Sequence, residues 1–425
     1  MPPPQAGSES VRVTFREVFA VREFRALWGA ALLSLIGDQI AIVALTWLVF
    51  DRTASPLLSA ATYAISFLPW IIGGPLLSGL ADRLPRRDVM VVCDLVRAVL
   101  LCVMALPGIP LWTLCLLLFL TQLCSPPFSA ARAATMPDVL PGDRYVVGTA
   151  VGTITNHVGL VGGFALGGVL AAVLVTPALL LINAATFAVS AGLIGLGVRQ
   201  RPAARAVQAD AGSLLSDARA GLRLMLGRRD LRVLAGLGWL CVFYVVPEGL
   251  AVPYAAGLGA DSAVAGLMLA AIPCGAALGA VLFSRFLLPQ RRLALMGPLA
   301  IATCAPLIGF LLNPGLAAAL LLLAASGAAS AYMLAANAAF VAALPPESRG
   351  TVFGLVQAVM SVGQGLAIVL AGQAAQTWQP ASVIAAAGLG GCVVAALLAW
   401  AWRRQVVPVG TDGATPMLPA EANSP

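Results

Sequence analysis

Charge is what this sequence has least of. Of its 425 residues, 10% are charged and 60% are hydrophobic. A soluble domain carries about a quarter of its residues as Asp, Glu, Lys or Arg, so a soluble globular class is excluded. Histidine occurs once, at His157, which leaves no cluster for a metal centre. The eight cysteines (Cys93, Cys102, Cys115, Cys124, Cys241, Cys274, Cys304 and Cys392) lie within or at the edge of apolar runs, and none forms a C-x-x-C pair. They read as small buried hydrophobes, not as disulfides or metal ligands. Lysine is absent, and an all-arginine, Ala- and Gly-rich composition reads as a GC-rich bacterial coding sequence. No phosphate-binding loop ending in Gly-Lys-Ser/Thr occurs, which excludes direct drive by ATP. There is also no Gly-x-Ser-x-Gly, no metal-ligand cluster and no haem site, so neither an enzyme nor a cofactor is expected.

Long apolar runs are what the sequence has instead. A membrane-crossing helix needs roughly 20 apolar residues, and about twelve such runs follow one another with short polar breaks. The sequence predicts crossings over 24–50, 55–80, 89–106, 111–136, 145–175, up to 198, 233–258, 262–288, 293–312, 315–344, 351–377 and 380–402. The opening residues turn basic without the apolar core of a signal peptide, and 13–25 is expected to lie along the membrane as an amphipathic helix. The formal net charge of +7 does not point to nucleic acid, because the arginines cluster in alternate loops. Under the positive-inside rule they place both termini in the cytoplasm, and only Arg52 on the other side, which requires an even number of crossings. The expected organisation is a cytoplasmic segment (1–22), a six-helix bundle (23–198), a cytoplasmic central loop (199–232), a second bundle (233–402) and a disordered tail (403–425). Within the central loop, 213–226 has helical apolar spacing and is expected to form a surface helix.

An internal repeat supports two halves. Ala131-Arg132-Ala133-Ala134, Pro141 and Arg144 match Ala336-Asn337-Ala338-Ala339, Pro346 and Arg349 at one constant offset, and Arg86-Arg87 maps onto Arg291-Arg292 at the same offset. Between the second and third runs stands a short charged hinge with the pattern G-x-x-D-R-x-x-R-R, made by Gly79, Asp82, Arg83, Arg86 and Arg87. Gly79 permits close helix approach, Asp82 can accept hydrogen bonds from a helix N-terminus, and the arginines hold the loop on one face. The alternative is a purely topological basic anchor. The pattern resembles the loop between helices 2 and 3 of the major facilitator superfamily, and its continuation Asp94-Leu95-Val96-Arg97-Ala98 is similar to the branch holding enterobactin exporters and macrolide and other drug efflux proteins. The resemblance implies an all-α membrane protein with twelve transmembrane helices in two six-helix pseudo-repeats, substrate bound midway between them, and a hinge acting as a latch between the halves.

Asp38 in helix 1 and Glu248 in helix 7 stand in apolar runs without a local partner, and an ionised carboxylate at that depth costs about 2.5 to 3.5 kcal/mol on insertion scales. Under the resemblance these two helices line the central cavity, so the acids either carry protons or attract a cationic substrate; the alternative for each is a bond to a neighbouring helix. Asp94 and Arg97, three residues apart, can pair locally and resemble the pair that supports the hinge. Arg132 stands where the superfamily has a helix 4 arginine linked to proton transfer; an arginine reaching lipid phosphate is the alternative. Gly159, Gly163, Gly167 and Gly168 resemble the superfamily's antiporter motif, with Phe164 where the motif has proline, and a glycine-packed helix interface explains the same residues. His157 is either a titrating group or a hydrogen-bonded bystander. Trp70, Phe243, Tyr244 and Tyr332 are candidate substrate contacts by periodicity, with packing as the default for each.

Taken together, the expectation is a monomeric secondary transporter of a bacterial inner membrane that exports small amphipathic organic molecules (drug, siderophore or secondary metabolite) by proton-coupled alternating access. Its expected partners are that substrate, protons and the lipid bilayer, with no nucleic acid and no cofactor. A lipid or lysophospholipid transporter, an importer, and a non-transporting membrane sensor remain as alternatives.

Overall fold

The computed structural model describes residues 14–69, 84–201, 219, 221–345 and 349–404. Trp70, Gly79, Asp82 and Arg83 lie outside these residues, as do most of the central loop and the tail beyond residue 404. Every described element is helical. α1 (Phe15–Ala20) is shorter than the surface helix predicted through Arg25, because Val21 takes an extended conformation and α2 (Arg22–Thr53) begins at once. The Phe19 ring meets Phe24 and Trp28 edge-on at 5.4 and 5.1 Å, which folds α1 back against α2. α3 (Pro56–Ala64) opens the second crossing, with the Ser55 hydroxyl accepting from the Leu58 amide and Pro56 at the first turn.

The first half continues through α4 (Arg86–Met104), α5 (Leu111–Leu123), α6 (Ser125–Val139), α7 (Asp143–Val173) and α8 (Thr176–Gly197). The second comprises α9 (Arg229–Trp239), α10 (Cys241–Tyr244), α11 (Val246–Gly257), α12 (Ser262–Phe286), α13 (Pro289–Ile308), α14 (Leu316–Ala329), α15 (Tyr332–Ala343), α16 (Arg349–Ala374) and α17 (Pro380–Arg403). Among the described residues, three crossings are broken. The fourth steps at Cys124 ahead of Pro126 and Pro127, the seventh restarts twice before Pro247, and the tenth steps at Ser330 and Ala331. A proline removes a backbone donor and crowds the preceding turn, so it is tolerated where a helix restarts.

Ten of the described segments are long and apolar enough to cross a membrane. α3 continues into residues that are not described, and α4 carries Arg86, Arg87, Asp88, Asp94 and Arg97, so neither is among the ten. The outer surface suits lipid: Leu196, Leu312, Leu321, Val173 and Trp112 are each more than 70% exposed. Arg22, Arg86, Arg144, Arg199, Arg229, Arg285, Arg292 and Arg403 all stand at helix ends on one side of the bundle, and Arg52 at the other.

The two halves close on each other at the end opposite the arginines. One apolar cluster unites them there, drawing Tyr63, Phe164 and Leu180 from the first half and Leu250, Met268 and Ile368 from the second. Toward the arginine-rich end the packing separates. One cluster holds first-half residues such as Phe24, Met90 and Phe128, and another holds second-half residues such as Leu237, Met296 and Tyr332. The closure is tightest where α7 crosses α12: a methyl on Gly168 would lie 2.8 Å from the Gly266 Cα, and the Ser262 hydroxyl donates to the Gly168 carbonyl at 3.2 Å. Between hydrocarbon-facing helices, such backbone approach replaces the hydrophobic drive that lipid cannot supply. Gln376 Nε2 adds a bond to Ser55 Oγ at 3.2 Å.

Candidate functional site

Below this closure lies a cavity of about 560 Å³. α2 lines it with Ala31, Ser34, Leu35, Asp38, Gln39 and Ile42, positions three and four apart that form one helical stripe. α7 offers Gly152, Thr155, Asn156, Leu160 and Phe164 by the same spacing. The broken fourth crossing contributes Gln122, Ser125, Phe128, Ser129 and Arg132, and Tyr63, Ser66 and Phe67 come from the second. From the second half come Glu248 and Pro273. The wall is thus mixed: aromatic rings, uncharged hydroxyls and amides, and four charged side chains, Asp38, Arg97, Arg132 and Glu248.

Each charge has a different setting. Glu248 stands in the first turn of α11, and its Oε2 accepts from the Tyr63 hydroxyl at 2.7 Å, a bond that spans the two halves. Arg97 is 3% exposed and its Nη1 pairs with Asp94 Oδ1 at 3.5 Å. Its guanidinium also lies over the rings of Phe187 and Phe128 at 5.0 and 5.3 Å, and Asp94 Oδ2 accepts from the Ser190 hydroxyl at 2.5 Å. Asp38 lies within the electrostatic reach of Arg97 and at hydrogen-bonding range of Asn183. The Asn183 amide nitrogen is nonetheless buried without a well-formed partner, while its oxygen accepts from Thr186 at 3.1 Å. Arg132 is partly buried beside Gly152 and makes neither an ion pair nor a hydrogen bond among the described residues.

Of the residues singled out by sequence, Asp38, Glu248, Arg132 and Arg97 all border this one cavity. The glycines of α7 divide: Gly159 and Gly163 face Leu35 and Gln39, Gly167 lies against Ile40, and Gly168 alone crosses to α12. Phe164 faces the cavity within an unbroken α7. His157 is partly buried, with Nδ1 enclosed and unpartnered, and is not part of the wall. Three aromatic candidates lie elsewhere. Tyr332 is fully buried in the second half, where its hydroxyl donates to the Leu237 carbonyl at 2.8 Å; Phe243 packs against Gly390 and Gly391; and Tyr244 fills the space between the apolar clusters. The described part of the hinge binds within its own half: Arg86 Nη1 donates to the Ala134 carbonyl at 2.7 Å and to Asp138 at 3.0 Å, and Arg87 pairs with Asp88 at 3.3 Å.

Sequence reasoning missed Tyr63, Gln39, Gln122 and Asn183. Each is a polar side chain inside an apolar run, which is the signal that singled out Asp38.

A family-level match to the Major Facilitator Superfamily covers residues 27–252. Macrolide efflux protein A of Streptococcus pyogenes is 26% identical over 126 residues, 29% of this chain and 31% of that protein. The uncharacterized MFS-type transporter YfiS of Bacillus subtilis is 31% identical over 171 residues, 40% of each chain. The match therefore spans less than half the length of these curated relatives. Among solved structures, a bacterial homolog of the human lysosomal transporter Spinster, inward-facing and occupied, superposes with a TM-score of 0.70 at 16% identity, covering 90% of this chain and 97% of that one. A mutant of the nucleoside transporter NupG superposes with a TM-score of 0.69 at 15% identity, covering 90% and 99%.

Proposed function

The chain belongs to the Major Facilitator Superfamily, and we propose on that premise that it is a secondary transporter exporting small amphipathic organic compounds by proton-coupled alternating access. The observation that carries this reading is the cavity itself. It lies between two halves joined at one end, and its wall combines aromatic rings with two acids, Asp38 and Glu248, one from each half. A carboxyl that meets water from one side in one conformation and from the other side in the next can move a proton, and one that faces a bound molecule can exchange the two.

Sidedness follows from the arginines. With the arginine-rich face cytoplasmic, the closure through Gly168, Gly266 and Tyr63 lies on the outer side, and the cavity belongs to an inward-facing state of a protein in a bacterial inner membrane. Export then begins with substrate entering from the cytoplasm. Breaking the outer closure and separating Tyr63 from Glu248 completes the passage. The efflux name of the streptococcal relative supports the direction.

The test is accumulation of fluorescent amphiphiles in inverted membrane vesicles under an imposed pH gradient. The reading predicts uptake that a protonophore abolishes. Uptake indifferent to the gradient would remove proton coupling, and no movement of any compound in a chemically broad panel would remove the export reading.

A further inference from the structure

Two of the four charged side chains on the cavity wall have a bonded protein partner, Arg97 with Asp94 and Glu248 with Tyr63, and Asp38 has the opposite charge of Arg97 within electrostatic reach. Arg132 has none among the described residues. A guanidinium drawn partly out of water with no counter-charge is costly unless something else supplies the charge. Lipid phosphate is a poor candidate, because Arg132 faces the inside of the bundle together with Ser129, one turn away on α6, and with Gly152 and Thr155 on α7.

The surroundings favour an anion. Thr155 Oγ1 accepts from Trp28 Nε1 at 2.7 Å, which fixes the hydroxyl on the wall while leaving its own proton free to donate. Gly152 lies against the guanidinium, where a methyl would stand 3.9 Å from Arg132 Nη2, in ordinary contact. α6 runs from the closed end toward the arginine-rich end, so the Arg132 side chain leaves its helix tilted toward the cavity interior.

Height separates this site from the acids. Gln39 of α2 packs at the level of Gly163 on α7, and Arg132 lies at the level of Gly152. The interval of roughly ten residues at the helical rise puts Arg132 about 15 Å nearer the arginine-rich end than Asp38. The Phe128 ring and Leu160 line the span between, and Phe164 stands at the level of Asp38.

We propose that Arg132 anchors an oxyanion, a carboxylate or a phosphate ester, on the transported molecule, so that the substrate is an amphipathic organic anion or zwitterion whose apolar body lies along Phe128 and Leu160 toward Asp38. This rests on the transporter reading above and narrows its substrate class. A guanidinium offers parallel donors that match two oxygens of a carboxylate or phosphate, whereas an ammonium supplies the charge without that fork.

The experiment uses the purified full-length protein and three fluorescent probes that share one tail: dansylaminoundecanoate, the matching dansylaminoundecyl phosphate, and the neutral methyl amide of the acid. Binding is read as dansyl emission. The wild type is expected to bind at least one anionic probe about tenfold or more tighter than the amide, and the two anions rank carboxylate against phosphate. Arg132→Gln is expected to erase that preference while still binding the amide, which shows that the variant is folded, and Arg132→Lys to recover part of it. Equal binding of all three probes by the wild type, absence of binding, or a preference that survives Arg132→Gln would overturn the proposal. Uptake of the same probes in inverted vesicles separates the two readings: anion-selective binding with no uptake, with or without a gradient, leaves the anchor in place and removes the export reading.

Discussion

The hydroxyl of Tyr63 donates to Glu248 Oε2 at 2.7 Å, tying the second crossing of one half to the seventh crossing of the other. The bond sits where the cavity ends and the closure begins, since Tyr63 belongs both to the wall and to the apolar cluster uniting the halves. Glu248 is therefore both an acid of the cavity wall and part of the contact at the closed end.

Tyr63→Phe keeps the ring and removes the bond. A hydrogen bond to a charged group contributes about 1.5 to 3 kcal/mol, so with Glu248 ionised the population with the closed end parted should rise about tenfold or more. Spin labels on Leu58 and Trp378, both exposed at that end on opposite halves, should report a longer distance population. An unchanged distance distribution would show that the bond does not hold the closure.

Gly168 and Gly266 make a sharper test. A side chain on either would meet the backbone of the other at under 3.0 Å, whereas nothing lies within 4 Å of a methyl on Gly162, in the same helix. Gly168→Val should wedge the closure apart and reduce transport at least tenfold while the protein still elutes as a folded species; Gly162→Ala should transport normally. Wild-type transport by Gly168→Val would mean that α7 and α12 need not approach this closely.

The Asp94 and Arg97 pair is buried, with 0% and 3% of the side chains exposed, while Arg86 and Asp138 are 20% and 46% exposed. Removing one partner of a buried pair costs about 3 to 5 kcal/mol, and an exposed pair contributes at most about 1 kcal/mol. Asp94→Asn should thus lower the detergent-solubilised melting temperature by many degrees and Asp138→Asn by hardly any. Similar losses for both would contradict this assignment of the buried charge.

The sequence made the crossings legible because bilayer thickness sets a length that composition alone can reveal, as in α2, α12 and α17. It also made Asp38, Glu248 and Arg132 legible, because a charge in an apolar run demands an interior setting. What it could not supply was the identity of the facing surface. Helical periodicity puts Tyr332 on one side of its helix, but nothing local says that the Leu237 carbonyl, not a cavity, lies opposite. The same limit hid Tyr63, whose partner is 185 residues away. The breaks at Cys124 and Val245 show local proline chemistry at work, but how a broken helix re-aims its next turn depends on its neighbours.

The most direct measurement compares wild type with Asp38→Asn and Glu248→Gln in inverted vesicles, reading both gradient-driven uptake of a transported amphiphile and its exchange without a gradient. Proton coupling through the cavity acids predicts that at least one substitution abolishes uphill uptake while exchange continues. Gradient-driven uptake that persists in both variants would contradict the account.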